Sequence, residues 1–182
     1  MPLYLIRHAH ALAAETDRVR PLSAKGRAQV RRMAKFLRAS RRFAPAEIWH
    51  SPLVRTVETA KLLGRHRATT APSRAMAGLA PESNPRIMGR RLAATRKSVA
   101  LVGHEPHLSA LASWLVAGRA EPAIFELKKG SVLALERTDA GWVVGWQISP
   151  GLLGRKKRQA RRKRRRKEPL AVRPFSFFNL AQ

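Results

Sequence analysis

Three short, largely apolar runs, each followed by a turn or a charged residue, mark the first two thirds of the chain. They are residues 3–6 (Leu-Tyr-Leu-Ile), 46–50 (Ala-Glu-Ile-Trp-His) and 98–102 (Ser-Val-Ala-Leu-Val). Runs of four to eight residues with this composition are typical of strands buried in a sheet. We therefore expect three buried strands, each of which delivers the residues that follow it to one edge of the sheet.

Segments with helical periodicity lie between and after these predicted strands. Ser23 is a suitable N-cap, and the stretch after it carries apolar residues at i, i+3, i+4 and i+7 (Val30, Met33, Ala34 and Leu37). This spacing predicts an amphipathic helix over 24–40. Further helices are predicted over 53–64 and 86–96, and a fourth begins at Pro106, a residue that suits the first turn of a helix.

The remaining pattern predicts short strands and loops. We expect a short strand at 67–71, a loop over 72–85 that is rich in Pro, Gly, Ser and Asn, and β-rich segments at 124–128, 131–137 and 142–148. Strand–helix alternation up to about residue 117 indicates a mostly parallel sheet with helices on both faces. The predicted fold is therefore a three-layer α/β/α domain with a mostly parallel sheet and antiparallel edge strands.

The composition changes sharply at residue 155. Eleven of the thirteen residues 155–167 are Lys or Arg. Like charges at this density repel one another, so a solvated segment is expected there. We expect one domain over 1–154 and a basic tail, disordered on its own, over 155–182.

Charge and composition narrow the function classes. The chain has 182 residues and a net charge of +26, of which the tail contributes +11 and residues 1–154 contribute +15. Such a charge favours anionic partners: phosphate groups, nucleic acid or other polyanions. Cysteine is absent, which excludes disulfide scaffolds, thiolate metal sites and cysteine nucleophiles. With neither a signal-like start nor a run of 18 apolar residues, we expect a cytoplasmic protein that does not span a membrane, and a monomer.

Basic and imidazole side chains follow the predicted strands. Arg7 and His8 end the first strand, His104 follows the third, and Arg55 lies at the start of the helix after the second. In an open α/β sheet, ligands bind at the carboxyl ends of the strands. A guanidinium group pairs with two phosphate oxygens, and a neutral imidazole is a competent nucleophile near neutral pH. The sequence therefore predicts a phosphoryl-binding site at this edge.

At this point the sequence resembles the histidine phosphatase superfamily, and more closely its SixA-type phosphohistidine phosphatase branch. The resemblance covers about residues 1–154 and keeps the order of the motifs. The matching segments are Arg7-His8-Ala9-His10-Ala11, Arg20-Pro21-Leu22-Ser23-x-x-Gly26, Ser51-Pro52-Leu53-x-Arg55-x-x-x-Thr59, Val102-Gly103-His104-Glu105-Pro106-x-Leu108, Lys129-Gly130-Ser131 and Ser149-Pro150-x-x-Leu153.

The resemblance implies roles for these residues. His8 would be the nucleophile that becomes phosphorylated, while Arg7, Arg55 and His104 would hold the phosphoryl oxygens without a metal or other cofactor. Members of the superfamily that cleave phosphoesters carry a proton-donating acid in a Leu-x-Glu context. Here Leu79-Ala80-Pro81-Glu82 places Pro at that position and Glu one residue later. The implied substrate is therefore phosphohistidine in a protein, with Glu82 as the candidate proton donor if an ester is cleaved.

Several alternatives remain open from the sequence. Arg20 either contacts phosphate or braces the turn before the first helix. His8 with His10, and His104 with His107, have metal-ligand spacings, but the basic surroundings repel cations, so we expect no metal and place His10 and His107 at the rim. The alternative functions are a small-molecule phosphomonoesterase and a non-catalytic module that binds nucleic acid or another polyanion through 155–167.

Overall fold

The computed structural model describes residues 1–154, whose six strands form a single mixed sheet in the order β3-β2-β4-β1-β5-β6. Strands β1 to β4 are mutually parallel, and β5 and β6 add an antiparallel edge next to β1. The strands are β1 (Pro2–Arg7), β2 (Glu47–His50), β3 (Ser73–Ala75), β4 (Val99–Gly103), β5 (Val132–Thr138) and β6 (Gly141–Ile148).

Four α-helices cover the sheet: α1 (Ala24–Ser40), α2 (Val54–Arg65), α3 (Pro85–Ala94) and α4 (His107–Ala117). Short 3-10 helices occupy Asp17–Val19 and Leu152–Gly154. The predicted cap of α1 is present, because the Ser23 hydroxyl oxygen accepts a hydrogen bond from the Gly26 amide at 3.1 Å. None of the helices within residues 1–154 is long and apolar enough to cross a bilayer.

Two apolar cores lie on opposite faces of the sheet. Alternate residues of β1 point to different cores: Tyr4 and Ile6 pack with residues of α1 and α2, whereas Leu3 and Leu5 pack with residues of α3 and α4. This alternation follows from the two-residue period of a strand. The structure therefore confirms the predicted α/β class with helices on both faces.

Two predicted strands are wrong. Residues 67–71 belong to the turn that leaves α2, where Arg67 has a left-handed backbone (φ 55°) and the Ala68 amide bonds back to the Leu63 carbonyl. The chain pairs with β2 only afterwards, at Ser73–Ala75, inside the segment predicted to be loop. The prediction placed the strand too early, because residues such as Ala68 belong to the turn that follows α2.

Residues 124–128 are also not a strand. The Ile124 amide donates to the Ser113 hydroxyl of α4, and the Leu127 carbonyl accepts from the Arg7 side chain, so side-chain groups and not a neighbouring strand satisfy these two backbone groups. Leu127 is fully buried in the core beside α4. The apolar residues of the segment 124–128 therefore reflect packing on α4 rather than pairing in the sheet. The predicted tail over 155–182 lies outside the described residues.

Candidate active site

The two central parallel strands bring His8 and His104 together. β1 and β4 pair in register with Arg7 opposite Gly103, so the residue after each strand emerges at the same carboxyl edge. The His8 amide donates to the Gly103 carbonyl at 3.0 Å, and the two imidazole rings lie with their centroids 5.1 Å apart. The strand register thus creates the pair of imidazoles that the sequence predicted.

A backbone carbonyl orients the His8 ring. Nδ1 of His8 lies 2.8 Å from the Ala9 carbonyl oxygen, which can only accept, so this nitrogen carries the proton. The lone pair is then on Nε2. Burial lowers the pKa of His8 to about 4. The hydrogen bond to the Ala9 carbonyl raises this pKa, whereas the positive charges of Arg55, Arg7 and Lys129 lower it further. His8 is therefore neutral at neutral pH, with a lone pair on Nε2.

Arg55 points from the first turn of α2 into the same edge of the sheet. Its side chain is only 4% exposed. Its two terminal nitrogens donate to Asp17: Nη1 to the backbone carbonyl at 2.7 Å and Nη2 to the carboxylate at 2.9 Å. Its Nε is buried without a partner in the part of the chain that the structure describes. The guanidinium therefore keeps a free donor.

Arg7 is fixed from the other side. Its Nη1 donates to the Leu127 carbonyl at 2.7 Å, while its Nε is buried and unpartnered among the described residues. The segment 124–128 thus holds the guanidinium beside His8 instead of forming a strand. Arg7 and Arg55 both act electrostatically on His8, so the His8 imidazole is close to two cations.

His104 is 1% exposed, and neither of its ring nitrogens has a hydrogen-bond partner within residues 1–154. Burial lowers its pKa to about 3, and the charge of Arg55 adds to the effect. Leaving buried polar atoms unpaired costs about 1–3 kcal/mol per group. The His104 imidazole therefore favours a ligand that can accept its hydrogen bond.

Arg20 takes the bracing role that the sequence left open. Its Nε donates to the Leu12 carbonyl at 2.9 Å, and its Nη1 pairs with the Asp17 carboxylate at 3.0 Å.

Asp17 is a site residue that the sequence analysis missed. The guanidinium groups of Arg55 and Arg20 hold the pKa of Asp17 below its ordinary value, so it stays ionised. A sequence signal existed: it is one of two acids before residue 47 and lies three residues before the Arg20-Pro21 motif.

Within residues 1–154, Glu82 forms no ion pair with Arg7 or Arg55. Its side chain is exposed, and its charge acts on His107, whose pKa it raises against the effect of burial.

His107 is not at the rim as predicted. It is 1% exposed, because the first turn of α4 packs it into the interior, and burial lowers its pKa to about 4. His10 is partly exposed, with Nδ1 2.8 Å from the Ser23 hydroxyl oxygen.

No three His, Asp or Glu side chains within residues 1–154 converge as a metal-ion site would require. The site is instead lined by guanidinium and imidazole groups. Such a set binds an oxyanion, and the charge of a tetrahedral phosphoryl group spread over its oxygens matches it.

Comparisons with known proteins agree with this geometry. A model of the histidine phosphatase superfamily (branch 1) matches residues 3–81. Among curated protein sequences, none matches this chain significantly. The structure of the protein histidine phosphatase SixA complexed with tungstate superposes with a TM-score of 0.74 at 25% identity, covering 84% of this chain and 99% of that one.

Two further solved structures extend the comparison. A protein from Agrobacterium tumefaciens that carries the name SixA gives a TM-score of 0.69 at 25% identity over 82% of this chain and 98% of that one. The alpha-ribazole phosphatase from Shigella flexneri gives 0.67 at 17% identity over 82% and 97% of the two chains, and this likeness concerns the fold. Together, the family model over residues 3–81 and the two SixA structures show that the chain resembles the histidine phosphatase superfamily in sequence and in fold.

Proposed function

We propose that this protein is a metal-independent phosphatase in which His8 is phosphorylated, and that it removes the phosphoryl group from phosphohistidine in a protein. The observation that carries the proposal is the Ala9 carbonyl at 2.8 Å from Nδ1 of His8, which leaves Nε2 as a lone-pair donor between Arg7 and Arg55. The match of residues 3–81 to the superfamily model supports the phosphatase activity, and the likeness to SixA supports the substrate class.

The reaction follows from the positions of these groups. Nε2 of His8 attacks phosphorus, and a nitrogen–phosphorus bond forms as the bond to the leaving group breaks. Arg7, Arg55 and His104 donate hydrogen bonds to the phosphoryl oxygens as their charge is redistributed. Water then attacks phosphorus, the new bond breaks, and orthophosphate and free His8 result. Because cations already neutralise the oxygens, no metal ion is needed in this scheme.

The substrate class depends on the leaving group. A phosphomonoester expels an alkoxide unless an acid supplies a proton, which is typically worth about 10²–10⁴-fold in rate. Asp17 is held ionised by Arg55 and Arg20, and Glu82 is exposed and acts on His107. Phosphohistidine expels an imidazole, which can carry a proton on its other nitrogen. The ionised state of Asp17 therefore favours cleavage of a phosphorus–nitrogen bond.

One observation favours the phosphomonoesterase alternative. Burial raises the pKa of Glu105, which follows His104 directly in the chain, although the charge of Arg7 works against the shift. A carboxyl group that keeps its proton more readily is the kind of donor that an alkoxide needs. In that case Glu105→Gln would abolish ester cleavage while Glu82→Gln would not.

A substrate panel tests the proposal. A phosphohistidine protein, an aryl phosphate, an alkyl phosphate and polyphosphate are assayed with EDTA present, and the phosphoenzyme is identified by mass spectrometry at neutral pH. We expect rapid phosphohistidine turnover, slow alkyl phosphate turnover, and phosphate on His8. His8→Ala should lower the rate by about 10³-fold or more, as losing a nucleophile does. Glu82→Gln should change phosphohistidine turnover by less than about tenfold.

Three outcomes would count against the proposal. Phosphate found on a residue other than His8 would refute the nucleophile. Alkyl phosphate turnover that equals phosphohistidine turnover and disappears in Glu82→Gln or Glu105→Gln would replace the substrate class with a phosphoester. Salt-sensitive polyanion binding without any turnover would favour the non-catalytic module instead.

A further inference from the structure

A basic cavity of about 520 Å³ lies beside the candidate active site and shares Arg7 with it. Four cationic side chains line it, Arg7, Lys25, Lys128 and Lys129, and no carboxylate is among its lining residues. His10 and Gln29 add polar groups to the wall, and residues 149–152 close one side. The cavity is therefore large enough for a second group of a bound substrate, and its walls carry one sign of charge.

The fold holds two of these lysines in place from both sides of the cavity. Lys129 precedes Gly130, whose amide lies 3.1 Å from the carbonyl oxygens of both Arg7 and His8. Gly130 has φ 77°, and a Cβ there would lie 3.0 Å from Pro150, so the turn requires glycine. These hydrogen bonds tie the Lys129 backbone directly to the nucleophile's strand.

Lys25 comes from the opposite wall, in the first turn of α1. The Ser23 amide donates to the His10 carbonyl at 3.0 Å, and the His10 amide donates to the Gln29 side chain at 2.9 Å. The start of α1 is thus bound to the segment that follows His8. Both lysines are therefore positioned by the same short stretch of chain that carries the nucleophile.

The four cations that line this cavity form no ion pair within residues 1–154. The ion pairs there use the Met1 amino group, Arg20, Arg27, Arg55, Arg74 and Lys97. Burial lowers the pKa of Lys129, and the charges of Arg7, Arg20, Lys25 and Arg55 lower it further. Mutual repulsion of this kind is relieved by an anion, which gains charge-assisted hydrogen bonds from several donors at once.

We propose that this cavity binds a second anionic group of the substrate, a phosphate or a carboxylate, next to the phosphoryl group that His8 attacks. The proposal rests on the proposed function, because it assumes that the transferred group sits between Arg7 and Arg55. The second anion has two sources: another acidic group in the same small molecule, or an Asp or Glu side chain close to a phosphohistidine in a protein. Lys25 and Lys129 are then specificity-determining residues.

Binding of two phosphonates to the full chain tests this. Methylphosphonate has one anionic group and methylenediphosphonate has two, and phosphatase chemistry cleaves neither carbon–phosphorus bond. We expect the diphosphonate to bind about tenfold or more tightly by calorimetry, as one extra charge-assisted contact implies. The ratio of the two affinities should fall to near one in the Lys25→Met/Lys129→Met double variant. Lys35→Met removes an equal charge from an exposed site on α1 that does not line the cavity, and should keep the ratio.

The basic segment 155–167 is present in every variant, so the change in this ratio from wild type to the double variant does not depend on it. Lys129→Arg keeps the charge and should keep the preference, which separates loss of charge from loss of folding. Equal affinity of the two phosphonates, or a preference that survives in the double variant, would overturn the proposal.

A turnover arm identifies the source of the anion. Phosphohistidine peptides with Asp or Glu neighbours are compared with Asn or Gln counterparts. A higher kcat/KM for the acidic peptides that is lost in the double variant supports a protein substrate, and equal values with a retained diphosphonate preference support a small molecule. If every substrate fails while the diphosphonate preference holds, the proposed function is refuted and the anion site stands.

Discussion

At the scale of single residues, the site depends on which atoms are already satisfied and which are not. The Ala9 carbonyl occupies Nδ1 of His8, and Asp17 occupies the terminal nitrogens of Arg55. The Nε atoms of Arg7 and Arg55 and both ring nitrogens of His104 are buried and unpartnered within residues 1–154. Unsatisfied buried donors are costly, so their clustering around His8 indicates where an oxyanion belongs.

The arginines should differ in their contribution to catalysis. Arg55→Ala should lower kcat/KM by about 10²–10³-fold, since each lost donor to the transition state is worth about 2.7–4 kcal/mol. Arg20→Ala should cost less, because Arg20 contacts Leu12 and Asp17. His104→Ala should fall in the range of Arg55→Ala. Steady-state kinetics on one phosphohistidine substrate compares them, and equal losses at Arg20 and Arg55 would show that the phosphate ligands are misassigned.

Sequence reasoning reached the residues that follow strands but not those that reach the site from loops. His8, His104 and Arg55 are set by strand ends and a helix start, which periodicity and motif order both mark. Asp17 reaches Arg55 from a short 3-10 helix 38 residues earlier, and no local pattern specifies that pairing. The burial of His107 depends on the packing of α4, and no local pattern in the sequence marks it.

At the scale of elements, helices and central strands were predictable because their patterns are long or strongly apolar. The predicted bounds 24–40 of the first helix agree with α1 residue for residue. The failures at 67–71 and 124–128 are segments of only five residues, for which a strand, a turn and a covering segment share one pattern. What decides among them is the partner, Leu63 or Ser113, and such tertiary contacts are absent from local sequence.

The packing of α1 against the strand end should be sensitive to one atom. A Cβ at Gly26 would overlap the His10 carbonyl, which belongs to the backbone and cannot move cheaply. Gly26→Ala should therefore destabilise the protein by about 1–3 kcal/mol, as overpacking does. The matched control is Gly64→Ala in α2, where a Cβ has room and should stabilise the helix by up to about 1 kcal/mol. Urea unfolding measures both, and equal stability of the two variants would contradict the close approach.

At the scale of the whole molecule, three buried histidines should make stability depend on pH. Burial lowers the pKa of His8 and His107 to about 4 and that of His104 to about 3, from an ordinary value of 6.5. Below pH 6.5 the unfolded chain therefore binds protons that the folded chain does not, and the free energy of unfolding falls as pH decreases toward these lower values. Stability should be greatest above pH 6.5.

His107 offers a way to measure one share of this effect without touching the proposed nucleophile. In His107→Gln, the loss of stability between pH 7 and pH 5 should be smaller than in the wild type by about 2 kcal/mol, the contribution of a single group with this shift. Urea unfolding at several pH values gives the two slopes. Parallel curves would mean that His107 is not held neutral by folding.

The charge of the whole chain leads to a prediction for residues 155–182, which lie outside the described residues and contribute +11 of the net +26. Deleting them should leave turnover of a small substrate nearly unchanged, because the motifs end by Leu153. It should weaken binding to nucleic acid and flatten its dependence on salt, since fewer counterions are released. Loss of folding or of small-substrate turnover in the deletion variant would show that the segment belongs to the domain.

The position of β1 in the sheet has a consequence for hydrogen exchange. This strand has β4 on one side and β5 on the other, and its residues Leu3–Ile6 are all buried. Amides of that kind are released to solvent only when the whole protein unfolds, whereas those of the exposed stretch 12–19 open locally. Deuterium uptake should therefore be slowest in the strand that precedes His8 and fast in the segment that carries Asp17. The proposed nucleophile is then anchored to the most persistent part of the described molecule, and the carboxylate that pairs with Arg55 to one of the least persistent.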